Sequence, residues 1–164
     1  MIVVADATPL NYMVQLDCDF LLPRLYERVL VPEAVIRELL HRKAPPAVSS
    51  WAASPPRWLE VRRITSHPDV ILQRLDPGER EAIQLAMQEV GSIVLIDDER
   101  DRREAVKRGI PTTGTLGVLL AGTERGIFNG EDAFLRLTTQ TTFRTSGLIR
   151  AAFQAKFAAL RKRT

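Results

Sequence analysis

The stretch Ser92-Ile93-Val94-Leu95-Ile96-Asp97-Asp98-Glu99-Arg100-Asp101 constrains the fold more than any other part of this 164-residue chain. Ile93 to Ile96 is an unbroken apolar run, led in by Gly91 and Ser92. Such a run fits a strand buried on both faces, as in a parallel sheet. It stops abruptly at two adjacent carboxylates, Asp97 and Asp98, with Asp101 close behind. Ligands of open α/β sheets sit outside the carboxyl ends of the strands. The chain therefore delivers acid to the place where a ligand is expected.

Read from the start, Ile2 to Ala5 form a first apolar strand that ends at Asp6. A helix follows, with Thr8 as its expected N-cap and Pro9 at its first position. Val29-Leu30-Val31 is a second strand, and Pro32 opens a helix to about His41. Glu38 lies about 60° beyond the apolar arc of that helix. Ala44 to Pro56 holds four prolines and reads as an ordered loop or short helical excursion, anchored by Trp51 and Trp58. Leu59, Val61 and Ile64 suggest a third strand. Asp76-Pro77-Gly78-Glu79 starts a helix that Gly91 ends, before the strand at Ile93. A polar helix after Asp98 stops at Gly109. Ile110 to Thr113 is a last strand, placed at an edge by Pro111. Helices are expected from Gly114-Thr115, over Phe128 to Leu137, and over Leu148 to Arg163. Strands alternating with helices make this an α/β chain with a parallel sheet.

Composition bounds the function. An apolar fraction of 45% and a charged fraction of 26% fit a globular domain with its own core, so residues 1–164 read as one domain. No apolar run approaches the roughly 20 residues that span a bilayer. Met1 to Asp6 reads as a strand and not as a signal peptide. Cys18 is the only cysteine, which fits a reducing cytoplasm. The net charge of +3 is concentrated at the end: residues 150–164 hold five Lys and Arg and no carboxylate, so 148–164 is a basic helix or tail.

Acids at Asp6, Glu38, Glu79 and Asp97, with Asp98 and Asp101, can converge on one sheet edge. Such a cluster repels itself unless a hard cation neutralises it. Mg²⁺ and Mn²⁺ take oxygen ligands and keep several waters, so two or three carboxylates suffice. Each acid also has a plainer reading. Asp6 could cap the turn after it, and Glu38 could be a solvated helix residue. Glu79 and Asp76 have the spacing of a capping box, and Glu81 is a rival to Glu79. Asp98 could N-cap the next helix, leaving Asp97 the better ligand, and Asp101 could favour that helix's positive end. His41 and His67 have no zinc-ligand spacing. Cys18 reads as a small apolar residue. Gly114-Thr115-Leu116-Gly117 could rest a phosphate on a helix start, though a tight turn explains the glycines as well.

These segments, in this order, resemble a PIN domain. Val3-Val4-Ala5-Asp6-Ala7-Thr8-Pro9-Leu10 is similar to its opening, and Val31 to Leu39 to its second motif. Leu75 to Ile83 and Leu95 to Arg100 are similar to the third and fourth. Gly114 to Gly117 resembles a segment of one prokaryotic subgroup, DUF3368, a relative of the VapC toxins. The resemblance spans about residues 1–125. It implies a three-layer α/β/α fold with a parallel sheet of four or five strands in the order 3-2-1-4-5. It implies a Mg²⁺- or Mn²⁺-dependent ribonuclease, often the toxin of a toxin–antitoxin pair and usually a homodimer, with RNA and an antitoxin protein as partners. By position Asp6, Glu38, Glu79 and Asp97 would carry the site, with Asp98 a further candidate metal ligand, Thr8 orienting Asp6 or a water, and Asp101 and Glu81 in support. The family's usual Thr-x-Asp is here Ile96-Asp97-Asp98, and either aspartate could be the ligand.

Arg100, Arg102, Arg103, Lys107, Thr115 and the basic tail are candidates for holding an RNA backbone, against the plainer reading of a solvated helix face. The apolar stripe from Leu148 to Leu160 fits packing on the domain or on a second subunit. Two other functions compete. A catalytically silent PIN-fold module would bind RNA or protein without cutting. A phosphoacceptor domain would need a lysine after a later strand, and Thr113-Gly114-Thr115 supplies none.

Overall fold

The computed structural model describes residues 1–67 and 70–161. Lys162 and Arg163 of the basic tail lie outside them. Five parallel strands form one sheet in the order β3-β2-β1-β4-β5. They are β1 (Ile2–Ala5), β2 (Arg28–Pro32), β3 (Leu59–Arg62), β4 (Ile93–Leu95) and β5 (Thr112–Thr113). Helices cover both faces, giving the three-layer α/β/α architecture that the sequence motifs imply. Before β4 come α1 (Ala7–Gln15), α2 (Leu21–Leu25), α3 (Glu33–Leu39), α4 (Pro46–Ala53) and α5 (Pro77–Gln88). After it come α6 (Glu99–Lys107), α7 (Thr115–Glu124), α8 (Gly130–Gln140) and α9 (Gly147–Arg161).

The strand period of two divides the core. Val3 and Ala5 of β1 join Val29, Val31 and Leu95 against α1, α2, α4 and α7 to α9. Val4, Leu30, Val94 and Ile96 turn to the other face and meet Ala82, Ile83, Ala86 and Ala105 of α5 and α6. Burial on both faces is why these strands are uninterrupted apolar runs. The order also fixes the site. From β1 the chain moves outward to β2 and β3, then returns to the other side of β1 as β4 and β5. The switch in direction lies between β1 and β4, where Ala5 pairs with Leu95. Asp6 and Asp97 follow those two strand ends, and a crevice at such a switch point is where α/β sheets bind ligands.

Several local details depart from the sequence expectation. The N-cap of α1 is Asp6, not Thr8, because the Asp6 carboxylate accepts the Thr8 N–H at 3.4 Å. Pro9 is then the third helical residue. In the proline-rich stretch the short helical excursion is the one of its two readings that forms, as α4. Its Trp51 Nε1 donates to Asp19 Oδ2 at 3.0 Å, and the Trp51 ring lies 6.2 Å from that of Trp58. Ile64 falls outside β3, which Arg28 ties to β2 by two hydrogen bonds to Glu60 at 2.9 and 2.8 Å. Cys18 is buried, and burial pushes its thiol up to about 11, so it is an inert core residue.

The C-terminal helix packs on the domain, but only in part. Phe157 of α9 is 1% exposed and sits 5.8 Å from the Phe134 ring of α8. Leu148, at the other end of the stripe, is 82% exposed. Removing the Phe157 ring leaves a void that α8 and α9 cannot collapse to fill. Phe157→Ala is expected to cost about 3–5 kcal/mol, read as a lowered urea midpoint.

Candidate metal centre

Asp6 is the innermost acid. It ends β1, its N–H bonds Leu95 O at 3.0 Å, and the residue is 3% exposed. Capping occupies one carboxylate oxygen. Among the described residues, the other, Asp6 Oδ1, is the buried side-chain oxygen left with no hydrogen-bond partner. Burial raises the Asp6 carboxyl to about 7. The N–H groups of Ala7 and Thr8 oppose that rise, while Glu38 and Asp97 add repulsion.

Three further acids are brought close by specific local chemistry. Glu38 reaches the edge from α3 after β2, stays open to solvent on one side, and is raised by burial and by Asp76. Gly78, the second residue of α5, lets it approach. A Cβ there would lie 2.6 Å from Glu38 Oε2 and 3.4 Å from Asp6 Oδ1. The absent side chain thus leaves a gap bounded by both carboxylates. Asp97 is held from the far side by Thr115, whose N–H and hydroxyl donate to its two oxygens at 2.7 Å each. Burial raises Asp97, and the Thr115 bonds and the Arg102 charge partly counter it. Glu79 does two jobs. It accepts the Asp76 N–H at 3.2 Å, completing the capping box of α5, and it hydrogen-bonds Asp101. Two carboxyls can share a hydrogen bond only if one keeps a proton. Burial and Asp101 accordingly push Glu79 up to about 8.

The remaining candidates sort by what their side chains touch. Asp98 is exposed and caps α6, accepting the N–H groups of Arg100 and Asp101 at 2.8 and 3.2 Å. That employment makes Asp97 the acid of the pair aimed inward. Asp101 does more than favour a helix end, since it is 1% exposed and paired to Glu79. Glu81 turns away from the cluster to Arg37 of α3, at 3.9 Å. Thr8 meets Asp6 through its backbone, and its side chain borders the cavity. Thr115 is fully buried and spent on Asp97, so it cannot rest a phosphate. Arg103 pairs with Glu99 and Lys107 with Glu104 along α6, and Arg100 bonds Asp101. Arg102 alone of these four lines the cavity.

That cavity, about 750 Å³, opens beside the cluster. Thr8, Glu79, Asp97, Asp98 and Arg102 line it; Asp6, buried within reach of the Glu38 and Asp97 charges, does not. The opposite side comes from beyond the last strand: Phe143, Arg144, Ile149 and Phe153. Sequence reasoning missed this wall. Its trace was there, because Ile149 and Phe153 are four residues apart on one helix face. That face had a simpler use as packing, and nothing local marks Arg144. Gly78 was also missed, since only the folded approach of α5 to Glu38 reveals its role.

The donor set fits a hard divalent cation. It offers carboxylate oxygens only, one of them buried and unpaired. Among the described residues no three His, Cys, Asp or Glu side chains are grouped so as to hold a metal ion in a cage of their own. Mg²⁺ is usually held by one or two carboxylates and keeps several waters, so it does not require such a cage. Asp6 and Asp97 would hold the ion, with Glu38 and Glu79 reaching it directly or through water.

Fold and site together define a PIN domain. The chain belongs to the DUF3368 family of PIN domains, whose model matches residues 2–157. PIN domains are generally nucleases and typically use divalent metal ions. Among solved structures, the chain is similar to a PilT N-terminus domain protein from the archaeon Sulfolobus solfataricus P2. The identity is 13%, the match covers 88% of this chain and 100% of that one, and the TM-score is 0.49. No curated protein matches the chain. Among the described residues no helix is long and apolar enough to cross a membrane.

The raised carboxyls have a consequence for stability. Asp6 binds its proton more tightly folded, at about 7, than at its ordinary 3.8, and Glu79 at about 8 against 4.5. Between those limits the folded state holds more protons than the unfolded one, so stability falls as pH rises. Chelated protein is expected to lose thermal stability steadily from about pH 4 to pH 8, and Asp6→Asn to flatten the slope. Melting curves across that range check it, and a stability that rises over the same window would contradict it.

Proposed function

We propose that this chain is a metal-dependent endoribonuclease that hydrolyses RNA phosphodiester bonds, and the toxin component of a toxin–antitoxin pair. The observation that carries the reading is the unpaired, buried Asp6 Oδ1, set among Glu38, Asp97 and Glu79 beside an open cavity. A structural aspartate buried at a strand end would normally have both oxygens satisfied, because an unpaired buried acceptor is costly. An acid kept waiting at a switch point is better explained by a ligand that completes it. Bound there, Mg²⁺ or Mn²⁺ would supply an activated water and screen the charge that builds on a phosphodiester.

The chain's own residues divide the remaining work. Asp6 and Asp97 place negative charge at the ends of β1 and β4. Thr115 fixes the rotamer of Asp97 with two short bonds. Glu79 borders the cavity with Asp97, and burial together with Asp101 raises its carboxyl, which limits repulsion among the acids. Arg102 offers a cation at the cavity's edge to a phosphate oxygen. An antitoxin protein and a second copy of the chain are the partners this reading carries.

The test is cleavage of mixed single-stranded RNA with Mn²⁺, with Mg²⁺ and with chelator, beside the double variant Asp6→Asn/Asp97→Asn. Cleavage that needs metal and disappears in the double variant is the expected result. No cleavage together with no metal binding by calorimetry would leave a silent PIN-fold binding module in its place. Thr115 gives a second check. Thr115→Val keeps the volume but removes the hydroxyl donor to Asp97, so Mn²⁺ affinity is expected to fall about 10–100-fold, as for other groups that orient ligands.

A further inference from the structure

The cavity's far wall has no part in binding an ion, yet it is built with care. Phe157 locks α9 to α8, and one and two turns earlier Phe153 and Ile149 border the cavity from the same helix side. Phe143 packs edge-on against Tyr12 of α1 at 5.4 Å, which ties the loop before α9 to the start of the domain. Arg144 is folded back on that loop, its Nη1 donating to Phe143 O at 3.0 Å. The wall is therefore a positioned surface of aromatic and apolar groups with an arginine at its edge.

The charges around the cavity complete the description. Arg100, Arg103 and Lys107 each pair with a carboxylate of their own helix. Among the described residues, Arg102 and Arg144 have no carboxylate within ion-pair distance, and both border the cavity. A ligand that suits all three surfaces carries an anion for the two guanidiniums and a flat body for the side of the Phe153 ring away from Lys156, whose Nζ lies 5.2 Å from the ring centroid. It must also offer a bond that can lie near Asp97. A nucleotide unit of a single strand has these parts. A duplex does not, because its base faces are stacked and unavailable. The cavity's volume, about 750 Å³, falls in the roughly 300–1,000 Å³ range of small-ligand pockets, large enough for a nucleotide or two.

We propose that the Phe143–Phe153 segment is a nucleotide-binding subsite, with Phe153 stacking an unpaired RNA base and Arg144 and Arg102 holding its flanking phosphates. This deepens the ribonuclease reading and rests on it for the substrate. Base stacking on an aromatic ring tolerates any base, so the subsite selects unpaired RNA before it selects sequence.

Binding, measured apart from cleavage, tests this. The full chain carrying Asp6→Asn is titrated, with chelator, into a labelled eight-residue single-stranded RNA and into the matching duplex. Phe153→Leu and Arg144→Gln are then added separately to that background. Leucine keeps apolar packing against Phe157 while removing the ring face, and melting temperature confirms the fold. The single strand is expected to bind more tightly than the duplex. Phe153→Leu should weaken it about tenfold with little effect on duplex, and Arg144→Gln should reduce the salt slope by about one. Unchanged single-strand affinity in both variants overturns the subsite, and so does absence of RNA binding, which would favour a protein segment as occupant. Cleavage by the otherwise native chain, assayed alongside, separates the two ideas. Cleavage with unaffected binding in the variants sinks the subsite alone. Weakened binding in the variants, with neither cleavage nor metal binding by the native chain, keeps the subsite and sinks the nuclease.

Discussion

Burial of the Asp6 carboxylate is the constraint on which the rest of this structure depends. The side chain sits where the sheet changes direction, closed in by β4 on one side and by the starts of α1 and α5 on the others. Two backbone N–H groups of α1 favour its charged form, and burial outweighs them. The surroundings are shaped around this one costly group. Gly78 withdraws a side chain so that Glu38 can come near. Thr115 turns Asp97 inward. Glu79 and Asp101 share a proton, which keeps two more acids in place without two more charges.

Such an arrangement is poor as a device for stability alone. Replacing a buried cluster of like charge by apolar side chains of similar volume would relieve repulsion and desolvation together. The fold instead concentrates its apolar packing elsewhere, in the alternating faces of β1, β2 and β4, and tolerates conflict at one edge. Proteins that break the rules of satisfied polar burial in one place usually do so at a functional site.

The sequence displayed the fold well because its signals were strong and local. Three apolar runs, each ending in an acid or a proline turn, define central strands, and the alternation with helices leaves few topologies. The acids Asp6 and Asp97 were legible for the same reason: a strand end tells where its next side chain will be. Glu38 was less so, since a residue near the edge of a helix's apolar arc becomes part of a site only if another helix approaches it. The roles of Thr115 and Gly78 depend on contacts across 18 and 40 positions of chain, and no local pattern encodes them. Glu81 and Thr115 were misread because type and spacing could not tell which way each would turn. Arg103 and Lys107 were spent within their own helix, a competition that formal charge does not reveal.

The two sides of the cavity come from different parts of the chain. Every acid of the cluster lies at or before Asp101, on strand ends, helix starts and, for Glu38, the last turn of α3. The opposite side begins after Thr141, on a loop and helix fastened mainly through Phe157 and Phe143. Substitutions at Ile149 or Phe153 can change the shape of the cavity without moving a strand, whereas changes at Asp6 or Asp97 reach the centre of the core. Within a family built on this plan, the acids are held still by the geometry of the sheet, and the wall beyond the last strand is free to drift. Divergence between relatives should therefore gather at Ile149 and Phe153, which border the cavity, and spare Phe157, which is buried in the core.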